Sequence, residues 1–581
     1  MSLDLSPRRA ALLFAGLWLA YAVPQVTHHG LAIDSPSLFY AGDRTLFWIQ
    51  HPGHPEALDF NFPAPEPAGF HSAFYPFPDK NDPLHYPVFA GLVAALVAQV
   101  TATFGVDPVD GHHLGLVLLH AIGLFWFTLL AGRVFDRRVA LYAGAMLLFF
   151  PEAIGQAFNN AKDWPCADFY GCAMLSALEA FLWRRRGTTR TAGIFAGLAL
   201  SCKLNGAFAL LCIGGLGAYV FWEHSRAMRR PDFATLRDLV KIYLIAGLVF
   251  FLLWPYLYHG PMSGWAAHVE GYLNWYLAYG KSPRDTWTDY PLRSLLFATP
   301  PIVLLCALAG MLGGLRTEAN ERTAFWFVVV WTAFPILRSV EPHSNFYDGN
   351  RHFLEYIPGL CLLAGLGVER IAGRVQALAA SRGAVNGRAL GLGLAAILLA
   401  SWMLPVALYR PFEETYFNFM IGGLGGAQSR ALFDMPLPHD TRVRGTEGDY
   451  WYGNLGDGLP RLRALLGPER AGGNGIPSAG TQGFATCGPA PQQYQMQWPE
   501  GFHLLHSQPS DQDLIYVSPR ETFCGLGLVR ALENRRPILY RAERGGGLIY
   551  EILGPDDGKT HPVVTPPSLY EADRLNWGHL S

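Results

Sequence analysis

The 581-residue chain has little charge: Asp, Glu, Lys and Arg make up 15% of it, against about a quarter of an ordinary soluble domain. Forty-four basic residues nearly balance 46 acidic ones, so no basic face marks a nucleic-acid partner. Eight cysteines over this length are too few for a disulfide scaffold. An aromatic share of 13% with so little charge excludes a disordered chain. What is present is apolar residue, 51% of the total, yet the mean hydropathy of +0.17 is too modest for a chain that lies in lipid throughout. Composition therefore points to a membrane part joined to a sizeable water-facing part.

A spanning helix needs about 20 mostly apolar residues. Ala10–Val26, Leu114–Gly132, Val139–Phe158, Trp164–Trp183, Thr191–Cys202, Gly206–Trp222, Leu239–Tyr258, Ser294–Leu315, Ala324–Val340, Phe353–Val368 and Ala389–Tyr409 are read as eleven spans. Pro87–Phe104 is a twelfth apolar run, and charge decides against its crossing. Basic residues collect in cytoplasmic loops. With Arg8 and Arg9 inside, and Pro87–Phe104 lying at the outer interface, the loops bearing Arg133, Arg137 and Arg138, then Arg184–Arg190, Arg226–Lys241, Arg316–Arg322 and Arg370–Arg388 all fall inside. The N-terminal run is long and no Ala-x-Ala site follows it, so it is expected to be a retained span rather than a cleaved signal.

The expected organisation is a mainly α, polytopic membrane domain over residues 1–409, with a large outer loop at 27–113, and a small α/β extracytoplasmic domain over 410–581. The N-terminus is expected in the cytoplasm and the C-terminal domain in the periplasm of a bacterial inner membrane. Cys487 and Cys524, the only cysteines of the second domain, either pair or stay as thiols. The other six read as small apolar packing residues.

Ionisable groups near a membrane segment are costly and often functional. Here they gather at outer ends: Asp34 after the first span, Lys162-Asp163 between the third and fourth, Lys203 between the fifth and sixth, and Tyr347-Asp348-x-x-Arg351-His352 between the ninth and tenth. Carboxylates can deprotonate an acceptor hydroxyl. Lys and Arg can hold a phosphate. Structural readings stand beside these: Asp34 and Asp163 as caps of helices that start with Pro, Lys203 snorkelling to headgroups, Arg351 as an interface anchor. Asp168 and Glu179 lie inside a span, and they support the alternative of a polytopic transporter or lipid flippase. The first loop is rich in His but has no HExxH spacing.

Several short stretches occur together in a familiar order. They are Asp34 after the first span; Asn81-Asp82-Pro83-Leu84-His85-Tyr86-Pro87 before an apolar helix; Asn160–Pro165; Gly197–Lys203; Tyr347-Asp348-Gly349-x-Arg351-His352-Phe353; and Tyr416-Phe417-Asn418-x-x-x-Gly422-Gly423 with Asp449-Tyr450-Trp451. As a set, over about residues 1–460, they resemble the C-type, lipid-sugar-dependent glycosyltransferases of bacteria, near family 39, the protein-mannosyltransferase group. Where that family often has Asp-Glu, this chain has Asp34-Ser35, and the family's His-Pro-Pro stretch is altered here to His85-Tyr86-Pro87.

The resemblance implies transfer of a sugar from a polyprenyl-phosphate donor to a hydroxyl of a protein, lipid or glycan acceptor on the outer face of the membrane. Asp34 would be the general base, Asp163 and His85 would orient base or acceptor, and Lys203 and Arg351 would meet the phosphate. Lys162, Tyr347, Asp348 and His352 would complete the binding set. No particular cofactor is implied, and a divalent metal on Asp34, Asp163 and His85 is left open.

Overall fold

The computed structural model describes residues 5–32, 34–54, 58, 68–74, 86–279, 286–312, 318–344, 349–382, 387–430, 436–437, 440–444, 454–466, 484–487, 502–504, 511, 513–518 and 526–565. His85, Tyr347, Asp348 and Cys524 lie outside these residues, as does the side chain of Cys487.

The chain forms a mainly helical membrane domain followed by a small mixed-sheet domain. The membrane domain begins with α1 (Pro7–Ala22), α2 (Ser35–Gln50), α3 (Phe89–Ala102), α4 (Pro108–Val134), α5 (Arg137–Leu148), α6 (Pro151–Asn159), α7 (Asp163–Leu178) and α8 (Thr188–Cys202). It continues with α9 (Ala207–Met228), α10 (Phe233–Leu252), α11 (Trp265–Tyr279), α12 (Tyr290–Ala298), α13 (Pro301–Leu312), α14 (Ala319–Val340), α15 (Tyr356–Ser381), α16 (Gly387–Tyr409) and the short α17 (Gly423–Arg430). The helix starts follow local chemistry. Asp107, Asp136 and Asp232 each accept backbone N–H groups at the head of α4, α5 and α10, and proline stands in the first turn of α1, α2, α4, α6 and α12.

Among the described residues, six helices are long and apolar enough to cross a membrane, or up to eight if each of two bent pairs counts as one span. That differs from the eleven expected, although each expected run overlaps a helix. Val139–Phe158 is α5 and α6, bent by 59° ahead of Pro151, and Ser294–Leu315 is α12 and α13, bent by 107° ahead of Pro301. Proline lacks the N–H needed to continue a helix and biases the residue before it to extended backbone. The helices α7 and α8 are 16 and 15 residues long, and α10 carries Arg237, Asp238 and Lys241 in its first half. Pro87–Phe104 forms α3, only 14 residues long.

Every residue of α7 is buried, and α4, α8, α9 and α15 pack against it with aliphatic and aromatic side chains. Small residues let backbones meet. A Cβ added to Gly310 of α13 would lie 2.0 Å from the Leu363 carbonyl oxygen of α15, so only glycine fits there. The six described cysteines are buried free thiols, as the apolar-packing reading expected.

After a two-stranded pair, β1 (Pro436–Leu437) and β2 (Asp440–Arg444), the second domain contains α18 (Leu455–Leu466), α19 (Leu526–Glu533) and five strands. These are β3 (Phe484–Cys487), β4 (Phe502–Leu504), β5 (Leu514–Val517), β6 (Ile538–Arg544) and β7 (Gly547–Leu553), ordered β4-β3-β5-β7-β6. Pairings of β3 with β4 and β5 are parallel, and those of β7 with β5 and β6 antiparallel. Contacts between the domains include the Arg544 guanidinium, which donates to the Arg410 carbonyl at 2.7 Å, Gln428 of α17, which donates to the Leu548 carbonyl at 2.9 Å, and α18, which packs on the turn Val23–His28. A Cβ on Gly456 would sit 2.4 Å from the His29 carbonyl carbon, five residues before Asp34.

Candidate active site

Asp34 stands at the head of α2 but makes no side-chain capping bond. Its Oδ2 instead accepts from Lys162 Nζ at 2.6 Å and from Arg351 at 2.7 Å. Asp163, the first residue of α7, is likewise no cap: Lys203 pairs with its Oδ1, and Arg351 lies 3.9 Å from its Oδ2. One arginine thus bridges two carboxylates supplied by segments far apart in the chain. Lys203 neither snorkels nor stands alone, and Arg351 is buried rather than an interface anchor.

Local structure aims each group. Lys203 interrupts the chain between α8 and the turn Leu204–Gly206 with extended backbone, φ −155° and ψ 143°. That break is tight because a Cβ on Gly206 would lie 2.4 Å from the Ala199 carbonyl carbon. The turn carrying Arg351 is tied down on several sides. Asn205 Nδ2 donates to the His352 carbonyl at 3.2 Å, Arg338 donates to the same oxygen at 2.7 Å and to the Glu355 carboxylate, and Tyr290 donates to the Gly349 carbonyl at 3.2 Å. Lys162 Nζ also lies 4.2 Å from the centre of the Tyr86 ring. The ring face favours a cation there.

Asn160 organises the acid side. Its Oδ1 accepts from the backbone N–H of Lys162 and of Asp163, which ties down the turn into α7. Its Nδ2 donates to Asp163 Oδ2 at 3.1 Å and to Gln156 Oε1 at 2.5 Å. Gln156 Nε2 in turn donates to Glu152 Oε1 at 2.9 Å. A buried ladder thus runs from Glu152 up α6 to Asp163, with every amide orientation dictated by its neighbours.

The electrostatics separate the two acids. The Asp34 side chain is 28% exposed and that of Asp163 1%, so Asp34 is the carboxylate a second molecule can reach. Burial works to raise the Asp34 carboxyl, but the charges of Lys162 and Arg351 overcome it and hold it well below the usual carboxylate range. The His352 imidazole is pushed far down by burial and then by Lys203, Arg351, Lys162 and Arg338, so it is neutral at pH 7. Among the described residues, three cations, Lys162, Lys203 and Arg351, therefore gather around two carboxylates.

Five of the expected residues, Asp34, Lys162, Asp163, Lys203 and Arg351, come together, with His352 beside them. Asn160, Gln156, Glu152, Tyr86, Asn205 and the Arg338–Glu355 pair were missed. The four-residue spacing of 152, 156 and 160 was the available signal, since it puts them on one helical face. The metal alternative does not fit the described donors. Asp34 and Asp163 are neutralised by cations that a metal would have to displace, and no group of three His, Cys, Asp or Glu that could hold a metal occurs among the described residues. The two acids inside the expected span are engaged in structural pairs: Asp168 with His120 at 2.8 Å, and Glu179 with Arg185 at 2.8 Å.

No family model and no curated protein matches the sequence. Among solved structures, ArnT from Cupriavidus metallidurans in the apo state is similar at a TM-score of 0.45 and 15% identity, over 96% of this chain and 99% of that one. The same protein bound to undecaprenyl phosphate gives 0.46, 15% and the same coverage. The archaeal oligosaccharyltransferase AglB from Archaeoglobus fulgidus, in complex with an inhibitory peptide and a dolichol-phosphate, gives 0.43 and 12%, over 82% of this chain and 61% of that one. At these scores the likeness is one of overall chain course and says nothing of substrate.

Proposed function

We propose that this protein transfers a sugar from a polyprenyl-phosphate donor to an acceptor hydroxyl at the outer face of a bacterial inner membrane. The observation that carries the reading is the cluster itself: buried Lys203 and Arg351, with Lys162, converge on Asp34 and Asp163, and of these two carboxylates Asp34 is the reachable one. A lipid-linked phosphate fits that charge, with its tail among the helices. The motif set, which resembles lipid-sugar-dependent glycosyltransferases, agrees with it.

In the proposed step the acceptor O–H gives its proton to Asp34. The oxygen forms a bond to the anomeric carbon while the bond from that carbon to the phosphate oxygen breaks. The configuration inverts, and polyprenyl phosphate leaves with the electron pair as an anion met by Lys203 and Arg351. At rest Asp34 is a weak base because two cations hold it. A donor phosphate that draws Lys162 and Arg351 toward itself loosens those pairs and raises the basicity of Asp34, so the base is strongest when the donor is seated. The ladder from Glu152 to Asn160 keeps Asp163 ionised and aimed at Lys203 and Arg351.

The test is to incubate the purified protein in nanodiscs with a panel of polyprenyl-phosphate sugars and an envelope extract as acceptor source. Release of free polyprenyl phosphate, matched by a sugar mass added to an acceptor, supports the reading. Movement of intact lipid-sugar between leaflets without cleavage would overturn it in favour of a flippase.

A further inference from the structure

The segment Tyr416-Phe417-Asn418-Phe419-Met420 follows the last long apolar helix, where the sequence reads as the start of the water-facing part. Its geometry is that of a rigid turn rather than a linker. Asn418 is buried: its Nδ2 donates to the carbonyls of Leu296 at 2.8 Å and Thr299 at 2.9 Å, its backbone N–H donates to Phe297 at 2.8 Å, and its Oδ1 accepts from the Met420 N–H at 3.0 Å. Tyr409, the last residue of α16, donates to the Phe417 carbonyl at 3.1 Å. Gly422 and Gly423, at φ +91° and +67°, then turn the chain back, and the Gly423 N–H closes on the Asn418 carbonyl at 3.0 Å. This turn nevertheless holds Phe419 outward at 79% exposure, with Met420 exposed beside it.

The helix that Asn418 grips is α12, and it runs at 107° to α13, across the direction of a span rather than along it. Leu292 and Leu296, one helical turn apart on α12, are also exposed. The neighbouring helices carry the lipid-facing surface up to this point, through Leu305, Leu308 and Leu312 on α13 and Leu404 and Leu408 on α16, all exposed. The four side chains thus continue a bilayer-facing surface and end it with a shelf at the Asp34 end of the molecule.

We infer that Leu292, Leu296, Phe419 and Met420 form an interfacial anchor that sits in the acyl-chain boundary of the phospholipid leaflet on the Asp34 side. The occupant is membrane lipid, because the shelf is continuous with helices that already face lipid, and an apolar face lying in the interface plane is how a helix docks on a bilayer. The anchor also reaches the site: Tyr290 of α12 donates to Gly349, two residues before Arg351, so the leaflet surface sets the level of that arginine. The inference rests on the membrane fold alone and stands whether or not the protein transfers a sugar.

The experiment is site-directed spin labelling in nanodiscs, with power-saturation collisions against oxygen, which prefers lipid, and a nickel chelate, which prefers water. Phe419→Cys and Leu296→Cys are the test positions. Leu404→Cys is the lipid reference and Val564→Cys, exposed in the second domain, the water reference; wild-type protein treated identically supplies the blank for native cysteines. The expected result is an oxygen-over-nickel ratio at 419 and 296 several-fold above that at 564 and grouped with 404. Ratios at both test positions equal to that at 564 would overturn the anchor, and signals there immobilised and shielded from both reagents would show protein rather than lipid on the shelf, which overturns it equally.

Discussion

The two ends of the helical domain use the same chemistry in opposite arrangements. At the Asp34 end the cations are buried, Lys162 at 5% and Arg351 at 3% exposure, and the acid they hold is the exposed partner. At the other end the acid is buried, Glu179 at 0%, and its partners Arg185 and Arg133 are 47% and 42% exposed. Asp232 repeats the second pattern: it is buried, caps α10, and meets a more exposed Arg184 at 2.6 Å. An exposed arginine keeps its water and contributes little when paired, about 0–1 kcal/mol. A buried cation has given up its water and needs an anion. The arginine end therefore gives each buried acid a solvated partner, and the Asp34 end gathers buried cations around carboxylates, one of them reachable.

The largest break in this contrast should come from Arg351→Ala. It leaves Asp34 with one cation instead of two and takes from Asp163 its bridge. Removing one partner of a buried pair costs about 3–5 kcal/mol. Thermal unfolding in detergent should show that loss, and binding of a polyprenyl phosphate should fall with it.

The joint between the two domains should respond to pH in a way neither end does. Glu413, buried in the turn that follows α16 and packs on α6, accepts from Tyr21 at 2.5 Å, and burial pushes its carboxyl from 4.5 up to about 7. Between these values the folded protein holds a proton that the unfolded chain has lost. Stability should therefore fall as pH rises from about 4.5 to 7 and then level, by up to ~3 kcal/mol. Glu413→Gln fixes the neutral form and should flatten that slope in unfolding measured across the same range. An unchanged slope would remove Glu413 from the account.

Asn160→Asp keeps the oxygen that holds the turn into α7 but replaces both amide donors and sets a carboxylate against Asp163. Loss of buried hydrogen bonds of this kind costs about 1–3 kcal/mol. Unfolding should show it, and sugar transfer should slow more than donor binding weakens. The smallest effect is expected from Arg184→Ala at the opposite end, about 0–1 kcal/mol with transfer unchanged. Loss of transfer in that variant would break the contrast between the two ends.

Much of the fold was legible because apolar runs become helices wherever they fall. The bends ahead of Pro151 and Pro301 were not, since an apolar run passes through both and hydropathy carries no direction. The members of the site were legible for a related reason: Asp34, Lys162, Asp163, Lys203 and Arg351 interrupt apolar sequence where charge is expensive. Their partnership was not. Arg351 meets Asp34 across 317 residues, and no local pattern says which cation goes to which acid. Asn160 and Gln156 stayed hidden because amides are cheap in sequence and acquire meaning only when every donor is counted. Asp34 was ambiguous for a third reason, since Asp-Ser-Pro suits a helix start as well as a base. The missing side-chain capping bond removes the first of these readings.

The measurement that reaches the central claim most directly is Asp34→Asn in nanodiscs, with binding of a lipid-linked sugar phosphate and the rate of sugar transfer read on the same preparation. The substitution keeps shape and removes the proposed base and one negative charge beside Lys162 and Arg351. The account predicts donor binding at least as tight as in the wild type and transfer lower by about 10²–10⁴-fold. Transfer at the wild-type rate, with binding intact, would contradict it.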